Sequence, residues 1–225
     1  MNLYELMVDY ATSHGIPEAP DMLIPELGSS LSLFNASLIE LGLDWDGPEE
    51  HPKVHASPKD IDLQQISQFI VAFLPFNSVT KQSEVNQVLF EIFSFLKWMD
   101  KRDIAHGLSG INVMALFKDL SAKQERCLKL SHLLDEESGN VLKNTPEIHE
   151  TITDIFSVEK IDSDFVLLKG QEQPELIRLR LPAHIVPLVE PNDFLDLVLG
   201  DTSDKWVLLE AGRVFPNPSD SHQSS

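Results

Sequence analysis

Apolar residues recur at every third or fourth position up to about Leu134, and from Ile152 onward the period falls toward two. The first rhythm predicts helices. Leu3, Leu6, Met7 and Tyr10 share one face of a short helix ending near His14-Gly15, and Pro17, Pro20 and Pro25 make residues 15–30 an irregular link. Leu31, Phe34, Leu38 and Leu41 mark a second helix over 32–43, followed by a proline-broken loop from Asp44 to Pro58. Asp60 is placed to cap a third helix, whose stripe Leu63, Ile66, Phe69, Ile70 and Phe73 ends before Pro75. A fourth, capped by Thr80 or Ser83, carries Val85, Val88, Leu89, Ile92, Phe93, Leu96 and Met99 at helical spacing. Past Gly107 and Gly110 a long helix is expected over about 111–137, with Val113, Phe117, Leu120, Cys127, Leu130 and Leu134 facing inward and Ser138-Gly139-Asn140 as its stop. Thr145-Pro146 has the form of a cap followed by proline at the first position of one more short helix or turn.

The second rhythm predicts short strands over 155–161, 165–169, 176–181, 194–199, 206–210 and 214–215. Asp162-Ser163-Asp164 reads as a tight turn, residues 182–193 with three prolines as a longer crossing connection, and Ala211-Gly212 as the end of the last main hairpin. That many short strands in so few residues suit a small barrel better than a sandwich. The expected architecture is therefore α+β, an N-terminal helical bundle over 1–150 followed by a small C-terminal antiparallel β-barrel over 151–216. The barrel resembles those of the oligonucleotide-binding (OB-like) or SH3-like kind, and the polar residues 217–225 form a disordered tail. The junction lacks a Gly/Ser-rich linker, which predicts close contact rather than free swivelling.

Composition changes this picture mainly through charge. Lys and Arg total 17 against 36 Asp and Glu, a formal −19 spread over both halves. Such a surface repels phosphate backbones and anionic lipid at long range, so nucleic acid is a disfavoured partner and a membrane is not expected. Cys127 is the only cysteine, so no intrachain disulfide can form, and its apolar setting predicts a buried, inert thiol. The first ten residues carry Glu5 and Asp9 without a basic start or an apolar run, and no stretch reaches the length of a membrane span. A cytoplasmic location is expected.

Candidate chemistry is sparse. Asp44, Asp46, Glu49, Glu50, His51 and His55 crowd twelve positions around Trp45, an oxygen-rich set of the type that holds a divalent cation. The spacing departs from a calcium loop, since glycine comes too early and His55 stands where a bidentate Glu belongs. Gly107-Leu108-Ser109-Gly110 falls one residue short of a nucleophile elbow and follows a helix. Phosphate-cradling glycine loops are missing, so no cofactor is implied. On the barrel, Arg178 and Arg180 alternate with Ile177, Leu179 and Leu181 and point to one face, the local exception to the negative field. Together with Trp45 and Trp206 they are the candidate partner-binding residues. The pattern points first to a non-enzymatic interaction or regulatory protein that binds another protein or peptide. A nucleic-acid-associated protein using the barrel comes second, and a metal-dependent enzyme built on the 44–55 loop third.

Overall fold

A computed structural model describes residues 1–20, 23–76, 81–144 and 147–216. The fold is α+β with a closed β-barrel toward the C-terminus, and the chain divides into two compact units, Met1–Ser121 and Ala122–Ser225. Among the described residues no helix is long and apolar enough to cross a membrane. The expected cap at Thr80, the short helix at Thr145-Pro146 and the tail over 217–225 lie outside the described residues.

In the first unit, α1 (Leu3–His14) starts with a capping box between Asn2 and Glu5 and stops at Gly15 in the left-handed conformation. A short 3-10 turn (Pro25–Leu27) leads into α2 (Gly28–Glu40), so regular structure begins earlier than the prolines suggest. The expected loop after α2 is a small hairpin instead: β1 (Trp45–Asp46) pairs antiparallel with β2 (Lys53–Val54). Its anchor is Asn35, 1% exposed on α2, whose amide donates to Pro52 O at 2.8 Å and accepts from Val54 N at 2.9 Å. A buried side chain that satisfies two backbone groups fixes a segment whose own sequence reads as irregular.

The next helix is capped by Asp62 rather than Asp60, because Pro58–Asp60 form their own 3-10 turn with its own cap at Ser57. It runs as α3 (Leu63–Gln68), a π-helical turn (Phe69–Phe73) and α4 (Leu74–Phe76), and so passes through Pro75 instead of ending before it. The wider turn accommodates the residue that cannot donate to the ladder. The 20-residue α5 (Gln82–Lys101) begins after Lys81 with no side-chain cap. Leu3, Met7, Phe34, Leu38, Phe69, Phe95, Leu96 and Phe117 belong to one buried core.

The second unit opens inside the 31-residue α6 (Val113–Lys143), which continues through the expected stop at Gly139. Cys127, Leu130 and Leu134 join the barrel's core with Phe156, Val158, Leu168, Leu179 and Leu197. The barrel strands are β3 (Glu150–Ile161), β4 (Phe165–Gly170), β5 (Leu176–Arg180), β6 (Phe194–Asp201) and β7 (Trp206–Phe215). Ala211-Gly212 does not end the last strand; register shifts opposite β6 let it run on to Phe215. The ring closes in the order β3-β4-β5-β7-β6, with β6 returning to pair with β3.

This barrel is mixed, not antiparallel throughout. β5 and β7 run parallel and meet at Leu179 and Trp206. Parity explains it: around a closed ring of five strands, directions cannot alternate at every step, so one neighbouring pair must run the same way.

Candidate functional site

Strands β4 and β5 bury every second side chain, and the alternation fixes what they present outward. Val166, Leu168, Ile177 and Leu179 face the core. Phe165, Leu167 and Lys169 on β4 and Leu176, Arg178 and Arg180 on β5 are the alternate set, in the antiparallel pairs Phe165↔Arg180, Leu167↔Arg178 and Lys169↔Leu176. Leu176 is 57% exposed, a large apolar side chain left in water beside cations. The Arg178 guanidinium lies over the Phe165 ring, 3.6 Å from its centroid, across the diagonal of the pairing. A guanidinium over an aromatic face keeps its N–H groups for hydrogen bonding.

Arg180 is held differently. Its Nη2 donates to Asp164 Oδ2 at 2.6 Å, in the turn between β3 and β4. It also lines a depression at the β5–β7 seam with Lys205, Trp206 and Val207 and with Glu137 and Val141 of α6. The structure thus brings Arg178, Arg180 and Trp206, chosen from sequence, to one side of the barrel. Among the described residues Lys169, Arg178 and Lys205 have no carboxylate partner. The turn that joins β4 to β5 is anchored by Asp154, 9% exposed, whose Oδ2 accepts from Glu172 N at 3.0 Å and Gln173 N at 3.3 Å.

Phe165 and Leu176 escaped the sequence reading. The signal was present in the alternation Phe165-Leu167-Lys169, but strand alternation alone does not say which face is wet.

The acidic segment has another geometry. Trp45, 47% exposed, lies on β1 opposite Val54. His55 Nδ1 is 2.9 Å from Asp46 Oδ2 and 3.2 Å from Asn2 Nδ2, and its backbone N–H donates to Asp44 O at 2.7 Å. Of Asp44, Asp46, Glu49, His51 and His55, only the Asp46–His55 pair has side chains in contact. Among the described residues no three His, Cys, Asp or Glu side chains converge as a metal would require. The near-elbow at Gly107 to Gly110 is a pair of turns in which Ser109 Oγ accepts from His106 N at 3.0 Å.

Cys127 is buried and free, and burial pushes its thiol up to about 12, against a smaller opposing pull from neighbouring Arg126. A thiol held so firmly protonated is a poor nucleophile.

No protein-family model, no curated protein and no solved structure matches this chain.

Proposed function

We propose that this chain is a cytoplasmic, non-enzymatic binding protein whose barrel takes an extended acidic peptide along the β4–β5 face. One observation carries the reading: the cations Lys169 and Arg178, which have no carboxylate partner among the described residues, flank the exposed Leu176, with the half-buried Phe165 ring beneath the Arg178 guanidinium. An extended peptide presents side chains at the same two-residue period, so carboxylates meet the cations while apolar residues cover Leu176 and Leu167. The first unit, read as a helical bundle, serves as a separate scaffold. Two unpaired cations on the face, in a chain of net charge −19, suit a short ligand better than a long polyanion.

The second reading, single-stranded nucleic acid, is favoured by the strand order. A closed ring of five strands supports the OB-like reading, and OB barrels use the second and third strands for oligonucleotides and oligosaccharides. Arg178 stacked on Phe165 offers a base a planar platform.

Fluorescence anisotropy separates the two. Labelled Asp/Glu-rich peptides carrying leucines, and oligothymidylate, are titrated with the full chain at low and moderate salt. The proposal expects peptide binding with a shallow salt dependence, weakened roughly tenfold by Arg178→Ala. Preferential oligonucleotide binding, with a log–log salt slope of about −3 or steeper, transfers the face to the second reading. Affinity for both probes untouched by Arg178→Ala with Arg180→Ala sinks both.

A further inference from the structure

The cationic face of the barrel extends onto β3. Lys160 lies opposite Leu167, and Leu167 lies opposite Arg178, so these three form one row across β3, β4 and β5. Their side is the outward one, because Val166, Leu168, Ile177 and Leu179 hold the inner face. Lys160 and Arg178 are exposed and flank the half-buried Leu167. The next row runs from Ser157 through Lys169 to Leu176. Lys169, also exposed, is thereby diagonal to Arg178 and, across the β-bulge, to Lys160.

Three cations thus surround one apolar side chain, and none has a carboxylate partner among the described residues. Asp164 is paired with Arg180 at 2.6 Å. Glu159, at the bulge, accepts from Ser157 Oγ at 3.1 Å, and Glu172 and Glu175 belong to the turn beyond Lys169. The row of Lys160, Leu167 and Arg178 itself holds no carboxylate, in a chain of formal net charge −19.

A carboxylate brings one negative charge to such a cluster. A phosphomonoester brings about −1.5 to −2 at pH 7 and three acceptor oxygens, so one group can accept from all three cations. Backbones two strands apart are separated by about 10 Å, a span that Lys160 and Arg178 can bridge over Leu167. The Arg178 guanidinium, 3.6 Å from the centroid of the Phe165 ring, supplies a planar fork for two phosphate oxygens.

We propose that this row recognises a phosphoserine or phosphothreonine within an extended peptide, Arg178 being the main donor with Lys160 and Lys169 beside it. The inference rests on the peptide-binding reading of the β4–β5 face and names the residue at the peptide's centre. The extent of the cluster favours a peptide over a nucleic-acid strand. A strand repeats its phosphates along its length and meets an acidic chain beyond these three cations. Leu176, 57% exposed, offers apolar contact to a flanking peptide side chain.

In the test, the immobilised full chain is offered three short degenerate peptide libraries with phosphoserine, glutamate or serine fixed at the centre. The proposal expects retention of phosphoserine over glutamate by roughly tenfold or more. Lys160→Ala and Arg178→Ala each weaken that retention roughly fivefold or more, and Arg178→Lys, which keeps the charge without the fork, loses most of the preference. Lys101→Ala, in the first unit, leaves it unchanged. The substituted side chains are exposed, so the variants keep the fold, as circular dichroism checks. Equal retention of phosphoserine and glutamate, both lost in Arg178→Ala, overturns this inference and leaves the acidic-peptide reading standing. Phosphoserine retention indifferent to Lys160→Ala and Arg178→Ala also overturns it, since the phosphate then binds elsewhere. No retention of any library removes both readings. Displacement of the retained peptides by oligothymidylate at equal phosphate concentration assigns the row to nucleic acid instead.

Discussion

Asp193 is 1% exposed, and burying a carboxylate is costly unless its oxygens find partners. Arg126 on α6 donates to both of its oxygens at 2.7 and 2.8 Å and to Leu188 O at 2.7 Å, and Glu190 N adds a bond at 2.8 Å. Arg126→Leu strands that charge, so chemical denaturation is expected to show a loss of roughly 3–5 kcal/mol in the second unit. Arg126→Leu with Asp193→Leu is expected to recover most of it, because the desolvation penalty goes with the pair. The adjacent Cys127 gives a second residue-scale expectation. With its thiol raised to about 12 and its sulfur buried, it stays protonated and shielded well above neutral pH. A thiol reagent at pH 8.5 is expected to leave the folded protein unmodified for hours and to label the denatured chain at once. Rapid labelling of folded protein would contradict the burial.

At the scale of elements, the points where pattern and structure part have identifiable causes. Gly139 carries a penalty of about 1 kcal/mol in a helix interior, yet α6 runs through it. Leu134 and Ser138 are buried, and Val141 lines the seam beside Trp206, so tertiary contact on one face outweighs the local cost. Pro75 is absorbed by the π-helical turn before it, a geometry that apolar periodicity does not encode. Gly107 is a different matter. A Cβ there would sit 2.1 Å from Ile61 O and 2.7 Å from Lys59 O, both backbone atoms that cannot swing aside. Gly107→Ala is therefore expected to destabilise the first unit by about 1–3 kcal/mol or more, as a lowered denaturation midpoint with an unchanged slope. Asp62→Ala removes a cap that holds two backbone N–H groups at 2.7 and 3.0 Å and is expected to cost about 1 kcal/mol.

At the scale of the whole molecule, the informative fact is that α6 serves two cores. Its first turns carry Val113, Phe117 and Leu120 into the first, and Cys127, Leu130 and Leu134 into the second. A fragment starting at residue 151 keeps every barrel strand but for its first residue, and lacks those three side chains and Arg126. It is expected to be unfolded or molten by circular dichroism and amide NMR dispersion. A fragment over 122–225 retains them and is expected to fold cooperatively. A folded 151–225 fragment would show that the helix is dispensable to the barrel.

The change of period near residue 150, the alternation of Arg178 and Arg180, and the burial of Cys127 were legible in the residues themselves, because each depends on neighbours one to four positions away. So were the helical stripes of α1 and α5. The hairpin at Trp45 was not, since its anchor, Asn35, lies on another element. The parallel β5–β7 pair follows from ring closure, a property of five strands together and of none alone. The meeting of Phe165 with Arg178, and of Arg180 with Trp206, likewise waited on strand pairing across the barrel. Local sequence determined the type of each element and the face it hides. Tertiary structure decided which exposed faces meet, because that depends on contacts between residues far apart in the chain.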